Sequence, residues 1–497
     1  MKVETLTIFI LRLKHKLKVI FCYFAVSFKI PYYDAFLLVL QELVMLSLIK
    51  NLESDNYNKK YSIQTYTKIL NLKNSAEKLK IDLPEFYFWM CFAAHYVGKM
   101  DDWKFFRLKL IEKQKNIRQK KGYDFEVIDP SHVAFTIGNV LTLDAWIKSR
   151  ILGFQKNNKL ILPLRPSLID KVVNPCMLNY LGSYIDIVEE PKQAEYYYSI
   201  LKDCRAWHNV YIPNGREIYP YSLTSGAYIQ SIWDQQKRKP LFQLTDEHRH
   251  KGNSILKKIG LPDDAWFVTC HVREPQFKGK ESFRDSDIQT FFKAFEEITK
   301  RGGWVIRMGD KRMTSLPKMP QVFDYALSEH KSDWMDVFLL GGAKFMLGTS
   351  SGPTAVSHIF GVPIAMTNNT PTVETYLGNK DLFLPRLMKR IDDGRMLNLV
   401  ELMTSPYNSG IIDGLYKNIY KVKTIPNTDL EIKNLCIEMM DRLEGTIKYS
   451  QEEEKLQEIF KKKTAEKEVM IGIPNFPIQC RLGKYFLNQH KNLLVNI

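Results

Sequence analysis

The sequence predicts an α/β protein with a doubly wound parallel sheet at its centre and a helical region ahead of it. Three observations predict this. Between Trp266 and Asn369, short β-rich runs alternate with helical segments, the pattern of parallel strands joined by crossover helices. Glycines punctuate that alternation at Gly302-Gly303, Gly341-Gly342 and Gly348–Gly352. In residues 1–122, by contrast, apolar residues recur at helical spacing.

A chain of 497 residues exceeds what one hydrophobic core supports. It divides into a helical region over 1–122, an α/β region over 123–240, a second α/β region over 241–395, and C-terminal helices with a charged tail over 396–497. The first region reads as the helices Tyr66–Leu79, Phe86–Tyr96 and Trp103–Ile117, with Lys113–Lys121 as a helix end and linker. Helix pairs there hint at a repeat, but no fixed period establishes one.

In the second region, a Gly138-Asn139 turn opens a helix over Asn139–Leu152. A strand at Lys159–Leu164, a helix over Leu168–Leu181 and a strand at Tyr184–Val188 follow. Arg205–Pro240 is aromatic and turn-rich with no clear period, so it reads as connection or substrate-facing loops. The third region reads as strands at Trp266–Val272, Trp304–Met308, Val322–Tyr325, Phe345–Leu347 and Ile364–Met366. Helices between them run over Asp285–Lys300, with an acidic first turn, from Ser332 to Leu340, and over Pro353–Phe360, with proline in the first turn. After Asp393 the chain reads as mainly helical: Asp429–Leu443 is amphipathic and Gln451–Glu468 is charged and solvated.

The formal net charge is +16, which favours anionic partners, although a lysine-rich solvated surface explains it as well. The basic residues are spread out and no stacking-plus-basic module is visible, so nucleic acid is not the expected partner. The seven cysteines contain no CxxC, so neither a zinc site nor a disulfide framework is expected, and a reducing, cytoplasmic setting fits. The apolar runs Lys18–Phe28 and Phe36–Ile49 are too short or too polar to span a bilayer, and no cleavable signal is expected. Leu11–Lys18 alternates basic and apolar residues; as a helix it lies either on an anionic membrane surface or against the protein's own body.

Ligands of open α/β sheets sit at the carboxyl ends of the strands, and three motifs fall there. The first is Cys270-His271-Val272-Arg273-Glu274, where alternation sends His271 and Arg273 to one face. Arg273 either grips phosphate or pairs with Glu274 or Asp310; His271 either donates to phosphate or is structural. The second is Gly348-Thr349-Ser350-Ser351-Gly352-Pro353-Thr354, a strand-to-helix turn whose small residues and free N–H groups suit a diphosphate. Its spacing is not that of a P-loop. The third is Arg307-Met308-Gly309-Asp310, where Gly309 permits close approach and Asp310 meets either a ribose or base, or Arg273. Arg284, ahead of a helix, is placed to meet a second phosphate.

Taken together, Cys270–Glu274, Phe283–Asp287, Gly302–Asp310, Lys331–Asp336 and Gly348–Pro353 resemble a bacterial glycosyltransferase family with HVRE, RGGWVIRMGD, SDWMD and GTSSG blocks. The resemblance covers Thr245–Asn369, and more loosely Ile137–Gly153. The Gly348–Pro353 to Gly361-Val362-Pro363 pattern is also similar to the diphosphate loop of heptosyltransferases, and the HxR element to that of O-fucosyltransferases. Heptosyltransferases usually carry Asp where Ser350 stands, which speaks against heptose as the donor.

The resemblance implies a GT-B fold, with 123–240 as a Rossmann-like acceptor domain facing a nucleotide-sugar-binding domain over 241–395. It implies a nucleotide diphosphate sugar as donor, a glycan or lipid-linked acceptor in surface polysaccharide or glycoconjugate synthesis, and no required metal or cofactor. The donor-binding residues expected are His271, Arg273, Arg284, Gly309, Asp310, Ser350, Ser351, Gly352, Thr354, Gly138 and Asn139. Arg273 is the expected catalytic group, and Glu274, Asp144 and His132 are candidates for a general base. The competing expectation is a non-catalytic nucleotide-sugar- or glycan-binding protein on the same fold.

Overall fold

The computed structural model describes residues 84–495 apart from short segments, of which 276–281 and 409–414 are the longest. The Leu11–Lys18, Lys18–Phe28, Phe36–Ile49 and Tyr66–Leu79 readings lie outside the described residues. Contacts divide the chain into two units. One contains the described residues up to Tyr123, with Lys202–Cys204 and the Leu415–Asn418 helix; the other contains Asp124–Leu201, Arg205–Ser409 and Tyr420–Ile497.

In the first unit two helices, Pro84–Tyr96 and Met100–Lys121, pack on each other. Lys113–Lys121 is therefore helix to its last residue. Gly122, at φ 66°, ends it in the left-handed conformation and caps Arg118 and Gln119. No described helix is long and apolar enough to cross a membrane.

The second unit is mixed α/β with parallel sheets. A small sheet pairs β1 (Phe125–Val127), β2 (Lys159–Pro163) and β3 (Asp186–Val188), all parallel. The Val140–Ile151 helix sits where the Gly138-Asn139 turn predicts it. Leu168–Leu181 is not one helix: it is split into Pro166–Ile169 and Pro175–Leu181. Pro175 restarts the chain as a helix behind Asn174, whose side chain accepts from Met177 N. A short antiparallel pair, β4 (Val210–Tyr211) and β5 (Glu217–Ile218), follows. The Arg205–Pro240 stretch holds a helix, Ser222–Gln235, that packs on Val140–Ile151. Its helical period was hidden because polar Thr224 and Ser225 are buried alongside Ala227, Ile229 and Trp233.

The large sheet has seven parallel strands: β6 (Phe267–His271), β7 (Trp304–Arg307), β8 (Val322–Phe323), β9 (Phe345–Thr349), β10 (Ile364–Asn369), β11 (Leu382–Pro385) and β14 (Arg481–Leu482). Their spatial order is β14-β11-β10-β9-β6-β7-β8. From β6 the chain builds outward through β7 and β8, then returns to the other side of β6 and builds outward again through β9, β10 and β11. Strand order thus reverses between β6 and β9, the topological switch point of a doubly wound sheet. Strands β6, β9 and β10 are almost wholly buried, as apolar runs covered on both faces must be.

Several boundaries differ from the sequence reading. The Asp285–Lys300 helix starts later, as a 3₁₀ turn over Ile288–Phe291 capped by Asp287, then α-helix over Phe292–Lys300. Asp285 is thereby left in the loop. The C-terminal part is less purely helical than its composition predicts. Strands β12 (Leu387–Arg390) and β13 (Val422–Ile425) form an antiparallel pair, and β14 joins the edge of the large sheet. The charged Gln451–Glu466 helix is not simply solvated, because Leu456, Phe460 and Thr464 are buried on one face. Phe460 meets Phe383 of β11 at 6.2 Å between ring centres.

The approach of β6 to β9 depends on Gly348. A Cβ there would lie 2.3 Å from the carbonyl oxygen of His271. Backbone cannot move aside as a side chain can, so Gly348→Ala should cost about 3 kcal/mol or more. Chemical denaturation measures this, and an unchanged midpoint would contradict the packing described.

Candidate functional site

The carboxyl ends of β6 and β9 meet at the switch point. His271 is in register with Gly348. Two residues on, the Arg273 backbone N–H donates to Thr349 Oγ1 at 3.2 Å, tying the loop after β6 to the turn after β9. That turn leads into the Gly352–Ile359 helix, with Pro353 in the first turn. Ser351 is the N-cap residue, yet its side chain makes no capping bond. Its hydroxyl lies 3.2 Å from Thr354 Oγ1, which itself donates to Thr349 O at 3.0 Å. The first N–H groups of this helix are therefore not capped by its own N-cap side chain. Ser350 is buried beside them.

The other glycine turn comes to the same place. A Cβ on Gly138 would lie 3.3 Å from Gly352 Cα, and a Cβ on Gly352 would lie 2.6 Å from Ile137 Cγ2 and 3.1 Å from Gly138 N. The Ile137–Asn139 turn thus lies backbone to backbone on the start of the Gly352 helix, an approach that requires glycine at 352 and leaves little room for a Cβ at 138. The Asn139 amide is turned away and donates to Ser131 O at 3.2 Å.

Arg273 Nε donates to Asp285 Oδ1 at 3.2 Å, so its partner is neither Glu274 nor Asp310. Arg284 is in the same loop, 5.7 Å from the centre of the Phe283 ring. Asp285 also accepts from Ser282 N at 2.6 Å, and its carbonyl accepts from Arg386 Nη2. Sequence reasoning missed Arg386. It directly follows β11, and its position was legible only once Leu382–Pro385 was recognised as a strand ending at the same edge.

The remaining expected residues are engaged elsewhere. Arg307 is fully buried and donates to Glu274, to Asp324 Oδ1 at 2.8 Å and to Thr314 O at 3.0 Å. The second Glu274 oxygen accepts from Thr314 N at 2.9 Å. Glu274 is thus a counter-ion, with both oxygens committed. Asp310 pairs with Arg312 at 2.6 Å, in partial exposure. Gly309 faces Met313, whose sulfur a Cβ would strike at 1.9 Å. Asp144 is buried against Lys148 at 2.6 Å; burial raises its carboxyl, and Lys148 opposes the shift. His132 is held neutral by burial; its Nδ1 lies 3.0 Å from Asp129 O, and its ring lies on Trp146 at 4.9 Å.

His271 Nδ1 is buried without a hydrogen-bond partner. Burial, with Arg307 and Arg273 adding to it against Asp310, brings the His271 pKa down to about 4. The ring is therefore neutral at pH 7. Among the described residues no cluster of His, Cys, Asp and Glu is arranged to hold a metal ion.

No family model matches the chain, and no curated protein matches it. Among solved structures, a glycosyl transferase of family 9 from Veillonella parvula is similar over 52% of this chain and 86% of that one, at 11% identity and a TM-score of 0.34. That likeness is too weak to bear on fold or function.

Two outcomes follow. Glu274→Ala breaks one of the two buried ion pairs of Arg307, strands the N–H groups of Arg307 and Thr314 that Glu274 satisfied, and should destabilise the fold by roughly 3–5 kcal/mol; a denaturation curve matching wild type would refute the counter-ion role. Below pH 6.5 the unfolded chain protonates His271, whereas the folded chain does so only near 4. Stability should therefore fall as pH falls through that window. In His271→Asn this part of the acid limb should be absent from melting curves recorded between pH 7 and 4.

Proposed function

We propose that the chain is a GT-B-type glycosyltransferase that moves a sugar from a nucleotide diphosphate sugar to an acceptor hydroxyl. The observation that carries this reading is the convergence at the switch point. Arg273, the Gly348–Thr354 turn and the Ile137–Asn139 turn all meet where strand order reverses between β6 and β9. Helix N–H groups that the N-cap side chain leaves uncapped, hydroxyls and a guanidinium at that edge suit a diphosphate.

The chemistry follows from the charge. As the glycosidic bond to the donor breaks, negative charge builds on the leaving diphosphate. Donors fixed in place before the reaction stabilise that charge without reorganising. In this reading Arg273 and the first-turn N–H groups behind Ser351 supply the stabilisation, and Ser350 and Ser351 orient the phosphates. Asp285 holds the Arg273 guanidinium in place. The glycine-to-glycine contact brings the Ile137–Asn139 turn and the helix after it to the donor site, and in this reading the acceptor enters from that side. A glycan or lipid-linked acceptor, used in surface polysaccharide or glycoconjugate synthesis at the inner membrane face, fits the basic chain.

A second reading, a non-catalytic nucleotide-sugar- or glycan-binding protein on this fold, is favoured by one observation. All three base candidates, Glu274, Asp144 and His132, are engaged internally. A strongly dissociative transition state reconciles that with transfer, since little help is then needed to activate the acceptor.

A thermal-shift screen against UDP-, GDP-, CMP-, dTDP- and ADP-sugars should find a donor that raises the melting temperature, because the ligand binds the folded state. With that donor, Arg273→Ala should lower kcat/KM by roughly 10²–10³ while melting near wild type. Full activity in the variant would remove Arg273 from the mechanism, and binding without turnover would favour the second reading.

A further inference from the structure

Arg386 directly follows β11 and is only 5% exposed. Its side-chain hydrogen bonds both run through Nη2, to Asp285 O and to Ser286 Oγ at 3.0 Å. Nε is buried with no partner. Among the described residues no carboxylate lies within ion-pair range of it. Asp285 is the nearest acid in the chain of contacts, but its carboxylate faces Arg273 and Ser282 N, and only its carbonyl faces Arg386. Two guanidinium groups therefore flank Asp285 at this edge of the sheet, and of the two it is Arg273 that is paired with the carboxylate.

A second donor is left over beside it. The Arg386 backbone N–H donates to Asn369 O at 3.4 Å, which places it next to the end of β10. There Asn368 takes a left-handed φ of 50° and exchanges bonds with Asn427, at 2.6 and 2.8 Å. Asn427 also donates to Pro385 O at 3.0 Å, fixing the residue ahead of Arg386. Asn368 Nδ2 remains buried with no partner. Buried donors are nearly always satisfied, and an unpaired buried charge is costlier still. Burial pulls the Arg386 guanidinium down to about 10, so it still carries its charge at neutral pH. A fold that keeps such a group at its ligand edge leaves the counter-charge to the ligand.

We infer that Arg386 is the second half of an arginine clamp around Asp285, and that it takes the second phosphate of a diphosphate whose first phosphate is held by Arg273 and the Gly348–Thr354 turn. This deepens the function proposed above and rests on it. It assigns the selectivity for a diphosphate over a monophosphate to a residue outside all the sequence motifs.

The test uses the full chain, with UDP, GDP, dTDP and ADP and the matching monophosphates as probes, titrated calorimetrically against wild type, Arg386→Met and Arg386→Lys. Arg386→Met should lower diphosphate affinity roughly 10- to 100-fold, the range for a charge-assisted hydrogen bond, and leave monophosphate affinity nearly unchanged. Its ligand-free melting temperature should stay level or rise, because a buried unpaired charge has been removed. If Arg386→Met does not fold, Arg386→Lys keeps the charge without the planar fork and should show the same selective loss, smaller in size. An equal loss for both nucleotide classes, or no loss for either, would overturn the inference. If wild type binds none of the nucleotides, the proposed function fails with it; if wild type binds and both variants bind equally well, only this inference fails.

Discussion

The arrangement of the ligand edge depends on one buried guanidinium. Arg307, at the end of β7, has no exposed side-chain surface and is bound by Glu274, Asp324 and Thr314 O. Those groups come from three different segments: the loop after β6, the residues after β8, and the 314–316 loop, where Leu316 N also donates to Asp324 at 3.0 Å. A guanidinium so deeply buried holds its partners strongly, because losing any one leaves N–H groups unpaired in the interior. The same charge adds to burial in keeping His271 neutral. The loop that carries Arg273 therefore starts from a fixed point, and the sheet presents a defined edge.

On that edge, close approach and charge have separate origins. Glycine supplies the approach. Gly348 lets β9 lie against the His271 carbonyl, and Gly138 and Gly352 let two backbones touch. Arginine supplies the charge: Arg273 pairs with the Asp285 carboxylate, Arg386 bonds the Asp285 carbonyl, and Arg284 lies in the same loop. Neither type of residue suffices alone: a glycine turn without cations is only a tight turn, and an arginine without a fixed partner is a mobile surface group. Their coincidence at the point where strand order reverses is what favours an anionic ligand there.

Much of this was legible in the sequence, for identifiable reasons. The β6, β7, β9 and β10 strands begin as apolar runs, the last three closely preceded by glycine, and the sheet largely buries them, so composition and structure agree. The Gly348–Thr354 turn was legible because its local chemistry decides its conformation. Pairing was harder to read. Glu274, beside Arg273 in sequence, belongs to Arg307, and Arg273 belongs to Asp285, twelve residues on. Sequence proximity carries no information about which acid a strand end faces. The Ser222–Gln235 helix was missed because it buries Thr224 and Ser225, which blurs the apolar period. Strand β14 was missed because two residues pairing with β11 leave no pattern to find.

The central claim is that this edge holds a diphosphate, and a crystal structure grown with a nucleoside diphosphate tests it most directly. Phosphate oxygens should lie within hydrogen-bond distance of the Gly352 and Thr354 N–H groups and of the Arg273 guanidinium. A nucleotide ordered elsewhere on the protein, with those groups touching only water, would contradict it.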